Sequence, residues 1–385
     1  MEQEYKISTF GKVFNGLMTA ALVCASMYLL SKANSSNSYI GMIIFSVLML
    51  TGGILLALYT FKRRVVISDT SIAVRGLFGT RELPNSLVKG YRVKDKAIFI
   101  YANQQGVRGL MINDYISIGN STELIESLSL HYSDLNELDR QNDLKIILQD
   151  AELGNTEGER LDEFKKAKKI ALIYNAGGIA IFVLSIVLLR TQSKVDTILV
   201  LWPLIGIVLL IKSKGLIKLV TKTSSAYPCI IWGMYISGIV ALIKSLVDYS
   251  ILRGDHVWLP FVLVGILVSI VLYFKGWDRS KSALWGQGLA VIFIAFIYSY
   301  SFAVIINCNL DNSAPQSFPV TITDKSSGGK STTVYHVKLS SWAMNDIPSE
   351  VKISREFYNQ AFIGANVHIQ VKKGLFKIPW YYITQ

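Results

Sequence analysis

Seven stretches of the chain are almost wholly apolar: residues 14–31, 39–61, 170–189, 197–212, 228–247, 257–274 and 285–307. A helix of about 18 or more apolar residues with scarcely a charge matches the hydrocarbon thickness of a bilayer. The pattern therefore predicts an α-helical polytopic membrane protein with about seven transmembrane helices. The first run follows Lys6 and Lys12 and so has the outline of a signal peptide. A second run comes almost at once, and a hairpin of two retained helices fits better. These helices define an N-terminal hairpin, 1–61, and a five-helix region, 170–308.

Two polar segments break the apolar pattern. In the first, 62–133, Val65–Ser68 and Ser71–Val74 flank the turn residues Asp69-Thr70, and Gly79-Thr80 marks another turn. Leu87-Val88 and Tyr91–Val93 suggest a further strand, while Ala97–Tyr101 and Arg108–Ile112 flank Asn103–Gly106 as a hairpin would. A helix then starts at Asn120, with Glu123 three residues on and an apolar stripe of Leu124, Ile125, Leu128 and Leu130. This order is carried by ISDTSIAVRGLFG (67–79), RELPNSLVKGYRV (81–93) and STELIESLSLHY (121–132), placed directly after a two-helix hairpin. It resembles the bacterial pleckstrin-homology-like (PH-like) domains of membrane proteins. The resemblance implies a β-domain closed by one helix, serving as a binding or assembly surface; the basic phosphoinositide-reading motif of eukaryotic relatives has no clear counterpart.

Residues 134–169 read as a helical linker, with a capping box of Thr156 and Glu159 opening a helix that could run unbroken into the third membrane segment. The last segment, 309–385, alternates apolar and polar residues at 318–323, 333–339 and 366–372, and ends in a strand over 376–383 whose Pro379 belongs at an edge. It predicts a small all-β domain, a barrel or sandwich of about five strands, with a short helix at 354–361.

Charge fixes the expected orientation. The net charge is +12, yet only 17% of residues are charged, against roughly a quarter in soluble proteins. Lysines and arginines crowd alternate loops: Lys62, Arg63 and Arg64; Lys165, Lys166, Lys168 and Lys169; Lys212, Lys214, Lys218 and Lys222; Lys275, Arg279 and Lys281. The other loops carry only Lys32, Arg190 with Lys194, and Lys244 with Arg253. Basic loops stay in the cytoplasm, so the N-terminus and residues 62–133 are expected inside a bacterial inner membrane, and the C-terminal domain outside it. The basic balance is then a topology signal with some attraction to anionic lipid, and nucleic acid is not an expected partner. Trp202, Trp258, Trp277 and Trp285 fall near helix ends, as interfacial anchors do.

Catalytic chemistry finds little support. Gly328-Gly329-Lys330-Ser331-Thr332 looks like a phosphate-binding loop, but Asp324 stands where the first glycine is required and a β-branched run follows where a helix should begin. A hairpin turn is the better reading. Cys24, Cys229 and Cys308 have no sequence neighbour to pair with, and His336 and His368 lack further metal ligands nearby. The acidic run at 134–163, interspersed with lysine and arginine, reads as a solvated surface. HExxH, GxSxG and CxxC motifs are absent from the sequence, and no cofactor is expected.

The membrane segments hold almost no ionisable residue, which disfavours proton-coupled transport. Lys244 and Asp248 fall at the exit of the fifth segment and Asp196 just before the fourth. The candidate polar site within the membrane is Asn175 beside Gly177 and Gly178, either lining a solute path or joining two helices. Pro203 and Pro260 could kink their helices, and Gly52, Gly53, Gly233, Ser237 and Gly238 permit close helix contact. The expected function is a non-enzymatic interaction, scaffold or regulatory module that binds protein partners on both membrane faces. A channel or transporter for uncharged solutes, and an immunity-type protein that binds a toxin, are the alternatives.

Overall fold

The computed structural model describes residues 2–33, 39–187, 193–276, 284–328, 334–340 and 350–384. It divides into two compact units, residues 1–145 with 223–226, and residues 146–222 with 227–385. Arg190, Trp277, Arg279, Lys281 and the 329–332 turn lie outside the described residues, as does the side chain of Trp285.

In the first unit, strand β1 (Gln3–Lys6) leads into helix α1 (Thr9–Ala33), and helix α2 (Tyr39–Lys62) leads into strand β2 (Arg64–Ile67). The helices are joined by Ser26 and Ser46, whose hydroxyls lie 2.8 Å apart, and by Asn15 Nδ2 donating to Thr60 Oγ1 at 3.0 Å. Because β1 pairs antiparallel with β2, Gln3 opposite Ile67, the sheet is built directly on the two helix ends. The sequence reading missed β1: its four residues offer one apolar position, Tyr5, which is buried in the domain core.

β3 (Ser71–Gly76) and β4 (Gly79–Pro84) complete a sheet of order β1-β2-β3-β4, and β5 (Val88–Lys94), β6 (Ala97–Ala102) and β7 (Leu110–Ile112) form a second. Helix α3 (Ser121–His131) adds Leu124 and Leu128 to a core that includes Val65, Ile72, Tyr91 and Ile98. The Asn120 cap differs from expectation. Asn120 adopts φ 59°, which asparagine tolerates better than most residues, and its amide donates to the Glu123 carboxylate at 2.9 Å instead of capping a backbone N–H. Helix α4 (Leu135–Gln149) follows, with residues up to Lys145 in this unit. Its Asp143, expected on a solvated face, is buried and accepts from Ser225 Oγ at 2.7 Å and from the Ala226 N–H at 3.2 Å.

Gly90 marks a register shift in β5, at φ 153°. A Cβ there would lie 2.5 Å from the Ser133 carbonyl oxygen, which accepts the Tyr91 N–H at 3.0 Å. Gly90→Ala is therefore expected to destabilise this unit by about 2–4 kcal/mol, read as lost amide-exchange protection across β5 and α3. Unchanged protection would mean that the close approach is not needed.

In the second unit, Thr156 and Glu159 form the reciprocal capping box, with Glu159 N–H donating to Thr156 Oγ1 at 3.2 Å and Thr156 N–H to Glu159 Oε2 at 3.3 Å. It opens a 31-residue helix, α5 (Glu157–Val187). Helices α6 (Ser193–Lys212), α7 (Ile231–Val247), α8 (Trp258–Lys275) and α9 (Leu284–Asn309) follow. Six of the described helices are long and apolar enough to cross a membrane, and the chain is a multi-pass membrane protein. The departure from seven is α7, with 17 residues, or about 25 Å against a hydrocarbon core of about 30 Å. The apolar run begins at 228, but Pro228 and the Lys218–Cys229 bridge keep its start extended. Even so, α7 starts beside Asn175 of α5 and ends beside the N-terminus of α6, to which it runs antiparallel.

The C-terminal domain is wider than the sequence implied. Its strands, β9 (Gln316–Gly328), β10 (Val334–Leu339), β11 (Glu350–Ile353), β12 (Asn366–Lys372) and β13 (Trp380–Thr384), are joined by β8 (Ser250–Ile251) from the α7–α8 connection. The order is β11-β10-β9-β12-β13-β8. β9 pairs with β12 through residues 316–321 and with β10 through residues 322–328. Alternate positions such as Val320, Ile322, Val367 and Ile369 share one core. Helix α10 (Arg355–Gln360) ends on Lys325, whose ammonium donates to the Tyr358 carbonyl at 2.6 Å and to the Ala361 carbonyl, an arrangement that suits the negative end of a helix.

Candidate functional site

The charged residues that the sequence places at helix ends are brought together in the second unit. Asp196 lies in the first turn of α6 and Lys244 in the last turn of α7, where the helix dipoles favour an anion and a cation respectively. Lys244 Nζ lies 2.9 Å from Asp196 Oδ1, without hydrogen-bond alignment to that oxygen, and 3.1 Å from Asp248 Oδ2. The Lys244 and Asp196 side chains are only 8% and 7% exposed, whereas Asp248 is 35% exposed. Tyr249 Oη is 2.9 Å from Asp196 Oδ2 and 2.8 Å from Asn309 Oδ1, and Asn309 Nδ2 donates to Thr197 Oγ1 at 3.2 Å. Burial, aided by the Asp196 charge, pushes the Tyr249 phenol up, so it remains a proton donor. This polar node ties the ends of α6, α7 and α9.

The C-terminal sheet is fastened beside it. The Asn307 side chain donates to the Ile378 carbonyl at 2.9 Å and accepts the Phe376 N–H at 2.9 Å. Gly374 has φ 77°, and a Cβ there would approach the Asn307 amide to 2.4 Å. Asp311 accepts from the Ser313 N–H at 2.8 Å, the Gly374 N–H at 2.9 Å and the Trp380 indole at 2.8 Å. On the other edge, Trp380 pairs with Ile251 of β8, and His256 donates from Nδ1 to the Lys377 carbonyl at 3.0 Å.

The sequence-predicted trio lies elsewhere, where α5 meets α6 and α7. Asn175 Nδ2 donates to the Cys229 carbonyl at 2.8 Å, and Asn175 Oδ1 accepts the Gly233 N–H at 2.8 Å. One amide thereby serves an orphan donor in the first turn of α7 and a carbonyl just before it. At Gly177 a Cβ would meet the Trp202 ring at 2.4 Å, and at Gly178 it would meet Gly233 Cα at 2.6 Å. These contacts place the three residues in a packing seam. Pro203 interrupts α6 nearby, and the Tyr298 hydroxyl donates to the Val200 carbonyl at 2.9 Å, while Tyr174 donates to that of Trp202 at 3.2 Å. A cavity lined by Pro203, Met234, Gly238, Val268 and Tyr298 holds about 20 Å³, room for about one water.

The lysine of the glycine-rich turn lies outside the described residues, but its flanks pair antiparallel, Gly328 opposite Val334, and β10 follows it. His336 sits 3.9 Å from Glu350, and His368 Nδ1 is 3.1 Å from Ser317 Oγ. Sequence reasoning missed Tyr249, Asn307, Asn309 and Asp311 as working residues. The available signal was that Asp196 and Lys244 lie at the same end of neighbouring antiparallel segments. Comparison with protein-family models, curated proteins and solved structures returns no match to the chain.

Two outcomes follow from this geometry. Lys244→Met alone leaves the Asp196 carboxylate buried without its cation and is expected to cost about 3–5 kcal/mol, whereas Asp196→Leu with Lys244→Met recovers most of it. Thermal unfolding of the detergent-solubilised chain measures both, and an unaffected single variant would show that the pair is not buried. Asp311 titrates at the sheet anchor. Burial raises its pKa, but the donors from Ser313, Trp380 and Gly374 outweigh it and hold the carboxyl near about 2, below its ordinary 3.8. The ionised form therefore stabilises the fold. Its contribution is complete above about pH 4 and is lost as pH falls through about 2. The protection of the Gly374 amide, its exchange rate relative to the unstructured rate at the same pH, should fall over that window, and in Asp311→Asn it should be the same at both ends of it.

Proposed function

We propose that this multi-pass membrane protein is a non-enzymatic interaction and regulatory module of a bacterial inner membrane, with soluble domains that bind protein partners on opposite faces. The N-terminus and the first β-domain are assigned to the cytoplasm, and the C-terminal domain to the other side. Supporting this orientation is the lysine and arginine bias of the loops. Lys244, counted on the sparsely basic side, faces Asp196, which sharpens the bias. The first β-domain is read as PH-like. A four-stranded and a three-stranded antiparallel sheet sharing a core with α3 support that reading.

One observation carries the functional reading. The C-terminal sheet is fastened to the helix ends at Asn307, Asp311 and Ile251, and it exposes Phe362 and Ile363, at 68% and 61%, at its other end. β12 runs from Asn366 to Lys372 between them, a separation of about 20 Å. An exposed aromatic and aliphatic pair on a rigid support is the type of anchor that dominates protein interfaces. Partner binding there would reach the buried ion pair through α9 and β8.

A photo-crosslinking residue at Phe362 of the full chain in cells is expected to give one discrete protein adduct, and one at Lys352, exposed on β11, none. Phe362→Ser with Ile363→Ser should abolish that partner's recruitment at unchanged thermal stability. If position 362 gives no adduct and reconstituted vesicles pass uncharged solutes in a manner lost in Asn175→Leu, the transport reading replaces this one.

A further inference from the structure

The turn between β3 and β4 is apolar where a hairpin turn is ordinarily polar. It reads Gly76-Leu77-Phe78-Gly79, with Gly76 opposite Gly79 and Phe78 93% exposed. Two-residue hairpin loops favour asparagine, aspartate and glycine, so local structure gives no reason for leucine and phenylalanine. Connectivity supplies one. β2 starts at Arg64, immediately after α2, and Arg64 lies opposite Arg75. The strand that leaves the membrane helix thus has its neighbour returning toward it, and the turn comes to rest beside the last turn of α2. Tyr59 of α2 and Arg63, the residue after it ends, line the same groove, of about 510 Å³, as Arg75, Leu77, Phe78 and Arg81.

The charges of this groove are arranged around the apolar tip. Arg63 is buried, stacks over the Tyr59 ring at 5.1 Å, and donates to Ser117 Oγ at 3.0 Å and to the Asp114 carbonyl at 3.1 Å. The Asp114 carboxylate is 4.0 Å away, so Arg63 is largely neutralised and serves as the floor. Arg75 and Arg81 are exposed and form no ion pair or hydrogen bond among the described residues. Two unpaired arginines flanking an exposed phenylalanine, at the level where a membrane helix ends, match both layers of a bilayer surface.

We propose that the β3–β4 turn is a lipid-docking element: Leu77 and Phe78 enter the acyl boundary of the bilayer that α2 crosses, and Arg75 and Arg81, on opposite faces of the hairpin, bind headgroup phosphates of anionic glycerophospholipids on either side of it. The occupant is a lipid of that same membrane, because the turn is held beside the helix end by covalent connection and strand pairing. Docking would fix the tilt of the first β-domain relative to its own helix hairpin.

The test uses the full chain in lipid nanodiscs, with brominated-chain phosphatidylglycerol or brominated-chain phosphatidylcholine as the probe. The emission of Phe78→Trp minus that of the unsubstituted protein isolates the new indole. Bromine quenching with phosphatidylglycerol at low mole fraction is expected, and the lipid concentration needed should rise about fivefold for Arg75→Gln and about 25-fold for Arg75→Gln with Arg81→Gln. Unchanged amide exchange in β3 and β4 establishes that the variants remain folded. A water-like, unquenched indole in both lipids overturns the proposal. So does quenching that ignores headgroup and arginines, or a buried indole that neither lipid quenches, which would assign the turn to a protein contact.

Discussion

The second unit depends on keeping one lysine charged in a place that water scarcely reaches. Lys244 and Asp196 are both almost fully buried, and a buried charge without its partner is far more costly than the pair is beneficial. This requirement fixes which helix ends meet, because only an acid at the start of α6 and a base at the end of α7 satisfy each other and their helix dipoles. Tyr249 and Asn309 extend the same constraint to α9. The sheet then inherits its position, since Asn307 and Asp311 belong to the end of that helix and the residues just after it.

The seam at the other end of α7 solves a different problem. There the need is close approach, which Gly178 and Gly233 permit, and the satisfaction of backbone groups that a short helix start leaves open, which Asn175 performs. α7 is thus pinned by a polar bond at one end and by an ion pair at the other. Its short length is consistent with a helix placed by its neighbours as well as by lipid.

Both β-domains are rooted in helix ends, and in each the root was hidden in the sequence. β1 and β8 are four and two residues long, too short for alternation to announce them. They become strands because the adjoining helix delivers them next to an unpaired edge. The Asp143 carboxylate was equally hidden: its segment is mostly charged and polar, and its partners, the Ser225 hydroxyl and the Ala226 N–H, lie far along the chain. The Asn120 cap failed for a local reason, since the residue types fit a capping box but the backbone turned left-handed.

Local sequence pattern by itself determined the apolar helices, the capping box before α5, the long strands and the two soluble segments, because each is set by residues within a few positions of one another. Tertiary structure alone decided that Lys244 meets Asp196, that Asn175 spans the start of α7, that Phe78 returns to the end of α2, and that the C-terminal sheet takes its edge from residues 250–251. These are pairings between residues far apart in the chain. The energy of a buried charge or an unpaired strand edge specifies that a partner must exist, and only the packed fold specifies which residue it is.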